Sequence, residues 1–101
     1  MAQTIPNERR RATRVAVDLQ AVDTTHAHPL HVRDLSLGGA RCTTTRRYAV
    51  GSSLDVVIGL PGSPEPVRLE GAVAASSDAT VQIRFVKPRK RDLVRLAEAL
   101  W

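Results

Sequence analysis

At 101 residues with 43% apolar side chains, the chain can bury one modest core and is too short for two domains. Aromatics make up only 3%, which argues against a platform that stacks successive nucleic-acid bases. The net charge of +5 favours anionic partners without choosing among them. A single cysteine, Cys42, excludes an internal disulfide and reads as a small buried apolar residue in a reducing compartment. Met1 to Pro6 lack the apolar run of a signal peptide, and no stretch approaches the roughly 20 apolar residues that span a bilayer. The expectation is a soluble cytoplasmic protein without membrane insertion.

Residues 1–8 are polar, carry Pro6 and read as a flexible lead-in, leaving 9–101 as the domain. Residues 15–20 alternate, with Val15, Val17 and Leu19 on one face, as in a strand with one side buried. Residues 30–33 form a second short strand feeding a turn at Asp34, and 40–43 leave it. Gly51, Ser52 and Ser53 turn the chain into a strand over 54–60, with Leu54, Val56, Ile58 and Leu60 on one face. Pro61, Gly62, Pro64 and Pro66 then interrupt regular structure. Strands follow at 67–73, with Gly71 as a bend or bulge, and at 80–86. From about Asp92 to Trp101 the period changes: Leu93, Leu96, Ala97 and Leu100 follow helical spacing. Asp92 caps this helix and leaves Arg89, Lys90 and Arg91 in the loop before it, away from the positive helix end. The pattern predicts a mainly β fold: a six-stranded antiparallel barrel with a C-terminal α-helix.

Two segments carry chemistry. Glu8-Arg9-Arg10-Arg11-Ala12-Thr13-Arg14 supplies guanidinium forks suited to phosphates or to the O6 and N7 acceptors of guanine. Asp34-Leu35-Ser36-Leu37-Gly38-Gly39-Ala40 supplies a carboxylate that accepts donors such as guanine N1–H and N2–H, a hydroxyl, and glycines that permit close approach. On these residues alone, an anion or nucleotide site competes evenly with an ordinary turn beside a basic tail.

Arg10-Arg11-Ala12-Thr13-Arg14 resembles the RxxxR motif, and Asp34-Leu35-Ser36-Leu37-Gly38-Gly39 the [D/N]xSxxG motif, of PilZ domains, the bacterial receptors for cyclic di-GMP. The order of the motifs also matches, and the likeness extends over nearly the whole chain, through Leu69 to Val73 and Val81 to Phe85. Gln82 stands where the family often has glycine, a departure that touches barrel packing more than the ligand site. The resemblance implies a cyclic di-GMP site built from Arg9, Arg10, Arg14, Asp34, Ser36, Gly38 and Gly39, with Arg41 as an auxiliary. Arg10 and Arg14 would pair with phosphates and guanine Hoogsteen edges, and Arg9 would extend the basic arm. Asp34 and Ser36 would contact guanine or brace the arginines, and Gly39, with Gly38, would let the strand pass close to a base. It also implies ordering of the arginine segment on binding, a changed surface, and an effector protein acting in trans, since the chain has no room for an output domain. No cofactor other than this ligand and no catalytic residue is expected.

Two other readings stand beside it: a basic nucleic-acid-binding barrel, for which no helix-turn-helix or RNA-recognition signature speaks, and a PilZ-like interaction module that binds no nucleotide. His26, His28 and His31 form a tight group, but without Cys, Asp or Glu at ligand spacing they read as surface histidines rather than metal ligands. Arg41, Arg46 and Arg47 are placed on exposed faces. The Leu93, Leu96 and Leu100 stripe reads as core contact, with a partner surface as the alternative.

Overall fold

The structure is a computed structural model describing residues 14–100. The described residues form β1 (Val15–Asp23), β2 (His28–Leu35), β3 (Gly39–Thr43), β4 (Ser53–Ile58), β5 (Val67–Ser76), β6 (Thr80–Phe85) and the C-terminal helix α1 (Lys90–Leu100). The strands close into an antiparallel barrel in the order β1-β2-β3-β6-β5-β4, with β4 returning to β1. The closing seam is short, pairing Ala21, Val22 and Asp23 of β1 with Ile58, Val57 and Val56 of β4. The predicted mainly β barrel with a C-terminal helix is the fold observed.

Alternation explains the core. Val32, Ile58, Val67 and Leu35 point inward with no exposed surface, joined by Val56, Val73, Val81 and Ile83. Leu96 of α1 joins the same cluster and is fully buried, and Leu100 packs half-buried against it, so this part of the helical stripe is core contact, whereas Leu93 is half-buried outside the cluster. Burying an aliphatic side chain of this kind contributes about 1.5–3 kcal/mol. Cys42 has no exposed surface, and burial pushes its thiol up to about 12, so it is a neutral core residue.

Several assignments differ from the sequence reading: β2 begins at His28, β4 ends at Ile58, β5 runs on to Ser76, and three further differences have a clear physical reason. β1 continues past Gln20 to Asp23. Asp23 breaks the apolar alternation but points inward, where Tyr48 Oη and His26 Nδ1 each lie 2.7 Å from its carboxylate. β2 carries Asp34 and Leu35 inside the strand rather than in the turn. The pairing shifts between Val32 and Asp34, and again between Ala16 and Leu19 of β1, so Leu35 turns inward while Asp34 stays on the outer face. Gly71 is not the bulge in β5, whose register shift lies between Val73 and Ala75. A Cβ at Gly71 would fall within 3.0 Å of Ile83 Cγ2, so glycine there is a packing requirement.

The helix also starts earlier than expected, at Lys90. Arg89 occupies the cap position, and its backbone N–H donates to Asp92 Oδ2 at 3.3 Å. Asp92 thus acts from the first turn, satisfying an orphan donor as the acid of a capping box does and setting a negative charge against the positive helix end. Arg46 departs from its expected exposed place. It is half-buried over the Tyr48 ring, 5.4 Å from the centroid.

Candidate ligand-binding site

The β2–β3 turn is built by Ser36. Its backbone N–H donates to Gly39 O at 2.9 Å. Its side-chain Oγ accepts from the backbone N–H groups of Gly38 and Gly39, both at 3.2 Å. The hydroxyl also donates to Gly39 O at 3.3 Å. Ser36 is buried, so its hydroxyl is spent on holding the turn rather than offered to solvent.

The two glycines have different jobs. A Cβ at Gly38 would meet nothing nearer than Ser36 Oγ at 4.0 Å, so this side of the turn is open. A Cβ at Gly39 would fall within 3.0 Å of the Ile83 carbonyl oxygen. The close approach that Gly39 permits is therefore to the β6 backbone, whereas Gly38 borders open space.

The register shift between Val32 and Asp34 sets Asp34 directly opposite Arg41 on β3. Arg41 Nε donates to Asp34 Oδ2 at 2.5 Å, with the guanidinium 40% and the carboxylate 21% exposed. Arg41 next faces Gln82 on β6, and Gly39 faces Arg84, which is exposed. Val15 registers with Leu35 and Ala16 with Asp34. Arg14, exposed immediately before β1, thus starts the strand that runs alongside the turn. Asp34, Ser36, Gly38, Gly39, Arg41 and Arg14 share one end of the β1-β2-β3 surface. Arg9 and Arg10 lie outside the described residues.

Sequence reasoning missed Arg84. The inward set of Val81, Ile83 and Phe85 left it outward, but only the β3–β6 pairing puts it beside Gly39. The histidines are dispersed among separate partners: His26 on Asp23, His31 on the exposed Asp18 carboxylate, and His28 Nε2 3.3 Å from Thr45 Oγ1. Among the described residues no group of three His, Cys, Asp or Glu side chains is arranged to hold a metal.

A separate polar cluster closes the other end of the β1–β2 hairpin. Burial raises the Asp23 pKa, but hydrogen bonds from Tyr48 and His26 outweigh it and hold the carboxyl below its ordinary value of 3.8. Tyr48 is pushed well above its ordinary value by burial and by the Asp23 carboxylate. A carboxylate that stays charged with its donors fixed around it serves as a structural pin rather than an acid–base group.

The sequence matches the PilZ domain family over residues 8–100. The chain is a PilZ domain. No curated protein matches it in sequence. Its fold is similar to the inhibitor of motility MotI/DgrA of Bacillus subtilis (TM-score 0.76, 16% identity, 86% of this chain and 46% of that one). It is also similar to YcgR of Escherichia coli, solved in complex with c-di-GMP (0.70, 14%, 85% and 42%). A third likeness is to the PilZ domain of CeSA from a cellulose-synthesizing bacterium (0.64, 14%, 87% and 94%). This PilZ domain spans less than half the length of the first two proteins. No helix among its described residues is long and apolar enough to cross a membrane.

Proposed function

We propose that this PilZ domain is a bacterial, cytoplasmic receptor for cyclic di-GMP that signals to a protein partner. The ligand lies on the outer face of β2 and β3 beside the Ser36–Gly39 turn. Arg10 and Arg14 pair with its phosphates and the guanine Hoogsteen edges, with Arg9 extending the arm. Asp34 holds Arg41 in place and offers its remaining acceptor capacity to guanine N–H donors. Ser36 acts through the backbone turn, and Gly38 leaves the open side. Binding draws the 9–14 segment across this face and changes the surface a partner meets. No catalytic step belongs to this reading.

The observation that carries it is the Asp34–Arg41 pair beside the open Gly38, at the end of the barrel where Arg14 enters β1. YcgR, of the same fold, was solved with this nucleotide bound. Calorimetric titration with cyclic di-GMP, GMP and cyclic di-AMP, on the wild type and on Arg10→Ala/Arg14→Ala, is the test. Each lost arginine should cost about 1–3 kcal/mol of cyclic di-GMP binding. Absence of saturable cyclic di-GMP binding sinks the proposal, and equal binding by the double variant removes the arginines from it.

A further inference from the structure

Away from the Ser36 turn, a groove runs between α1 and the segment from Leu60 to Arg68. Its basic half is a 340 Å³ cavity lined by Arg68, Arg89, Arg91 and Arg95, with Glu65 and Asp92. Its other half, about 280 Å³, is of mixed character, with Leu60, Pro61, Pro64 and Ala99 beside the polar Ser63, Arg95 and Glu98. Arg95 borders both halves.

The groove is preformed. Arg95 donates to Pro66 O and to Ser63 Oγ, both at 3.0 Å, and also to Glu65 O. These bonds tie the proline-rich segment to the helix. Arg89 is held by Asp92, Nε to Oδ2 at 3.6 Å. Two of the four guanidiniums are thus structural. Arg68 and Arg91 are exposed, and among the described residues neither lies within ion-pair distance of a carboxylate. Two cations without an ion-pair partner thus flank a trough whose walls the Arg95 bonds already hold together, so binding has mainly the Arg68 and Arg91 side chains left to order.

We infer that this groove docks an acidic segment of a protein partner, with carboxylates on Arg68 and Arg91 and an interleaved apolar side chain in the trough of Leu60, Pro61 and Ala99. Charge complementarity selects the occupant. A nucleic-acid backbone fits less well: it could reach the guanidiniums but would leave the Leu60, Pro61 and Ala99 side chains without an apolar partner. The inference rests on reading the chain as a module that engages a protein partner, and not on nucleotide binding.

The probe is a fluorescein-labelled peptide of about ten alternating glutamates and leucines, titrated by anisotropy and by amide NMR shifts into the full chain. An oligothymidylate of similar charge serves as the competitor. Saturable binding is expected, with shifts confined to α1 and the 60–68 segment. Arg68→Glu/Arg91→Glu should weaken it about ten-fold or more, whereas Asp34→Ala should leave it unchanged. Arg68→Gln/Arg91→Gln gives the same reading with a milder change, should the charge reversal disturb folding. Absence of saturable binding, unchanged affinity in these variants, shifts centred elsewhere, or tighter oligothymidylate binding at Arg68 and Arg91 would each overturn the inference. Cyclic di-GMP titrated into the same proteins separates the two proposals. Nucleotide binding without peptide binding removes the groove alone, and peptide binding without nucleotide binding removes only the receptor reading.

Discussion

Replacing Gly39 with alanine should destabilise the barrel, while the same change at Gly38 should not. The new Cβ at Gly39 falls within 3.0 Å of Ile83 O and lies 3.3 Å from both Ile83 C and Arg84 Cα. These are backbone atoms of β6, fixed by the pairing of Gly39 with Arg84 and Ala40 with Ile83, so none can swing aside as a side chain would. Overpacking of this kind costs about 1–3 kcal/mol. Loss of glycine's freedom in the unfolded chain offsets about 0.4–1 kcal/mol of that. The net is about 1–2 kcal/mol, equivalent to about 5–15 °C in Tm for a domain of this size. Gly38→Ala meets only Ser36 Oγ at 4.0 Å and should stay within about 0.5 kcal/mol of wild type. Urea titration followed by far-UV circular dichroism measures both variants. A Gly39→Ala protein as stable as wild type, or a Gly38→Ala protein equally damaged, would refute the assignment of the two glycines to separate tasks.

Tyr48→Phe removes one of the donors to the buried Asp23 carboxylate and should cost about 1–3 kcal/mol at neutral pH. Because the folded Asp23 pKa lies below its unfolded value, this stabilisation is present above about pH 4 and is lost as pH falls through the lowered pKa. The gap between wild type and Tyr48→Phe should therefore narrow in urea titrations at pH 3 relative to pH 7; a constant gap counts against the pin. Asp92→Ala deprives the Arg89 N–H of its partner and should cost about 0.5–2 kcal/mol, with faster amide exchange confined to the first turn of α1. Cys42, with no exposed surface and its thiol pushed up to about 12, should resist thiol-specific reagents at pH 8 until the protein unfolds. Rapid labelling of the native protein would move it out of the core.

Much of the fold was legible because period-2 alternation is a local signal. Leu54, Val56 and Ile58, or Val81, Ile83 and Phe85, announce a strand and its inward face without knowledge of any neighbour. The errors fall where a distant partner reverses a local preference. The alternation that marks the first strand stops at Gln20, short of Asp23, which sits inside the barrel because Tyr48, 25 residues on, supplies its donor. Arg46 looked exposed until the Tyr48 ring covered it. Lys90 and Arg91 looked ill-placed for a helix start until the Asp92 carboxylate closed back on Arg89.

The candidate site divides along the same line. Asp34, Ser36 and the two glycines are close in the chain, and their residue types alone signal a turn at Ser36–Gly39 with a hydroxyl and a carboxylate near it, although Asp34 itself lies in β2. Which glycine packs against the barrel and which borders open space depends on β6 lying against β3, a pairing between strands separated by two others in the sequence. The opposition of Asp34 and Arg41 depends on a one-residue register shift that no periodicity encodes. Residue chemistry and alternation are properties of neighbours along the chain, so the sequence by itself determined the strands, the turn and its functional groups. Register, strand order and the closing contacts are energies shared between distant segments, and only the tertiary structure decided them.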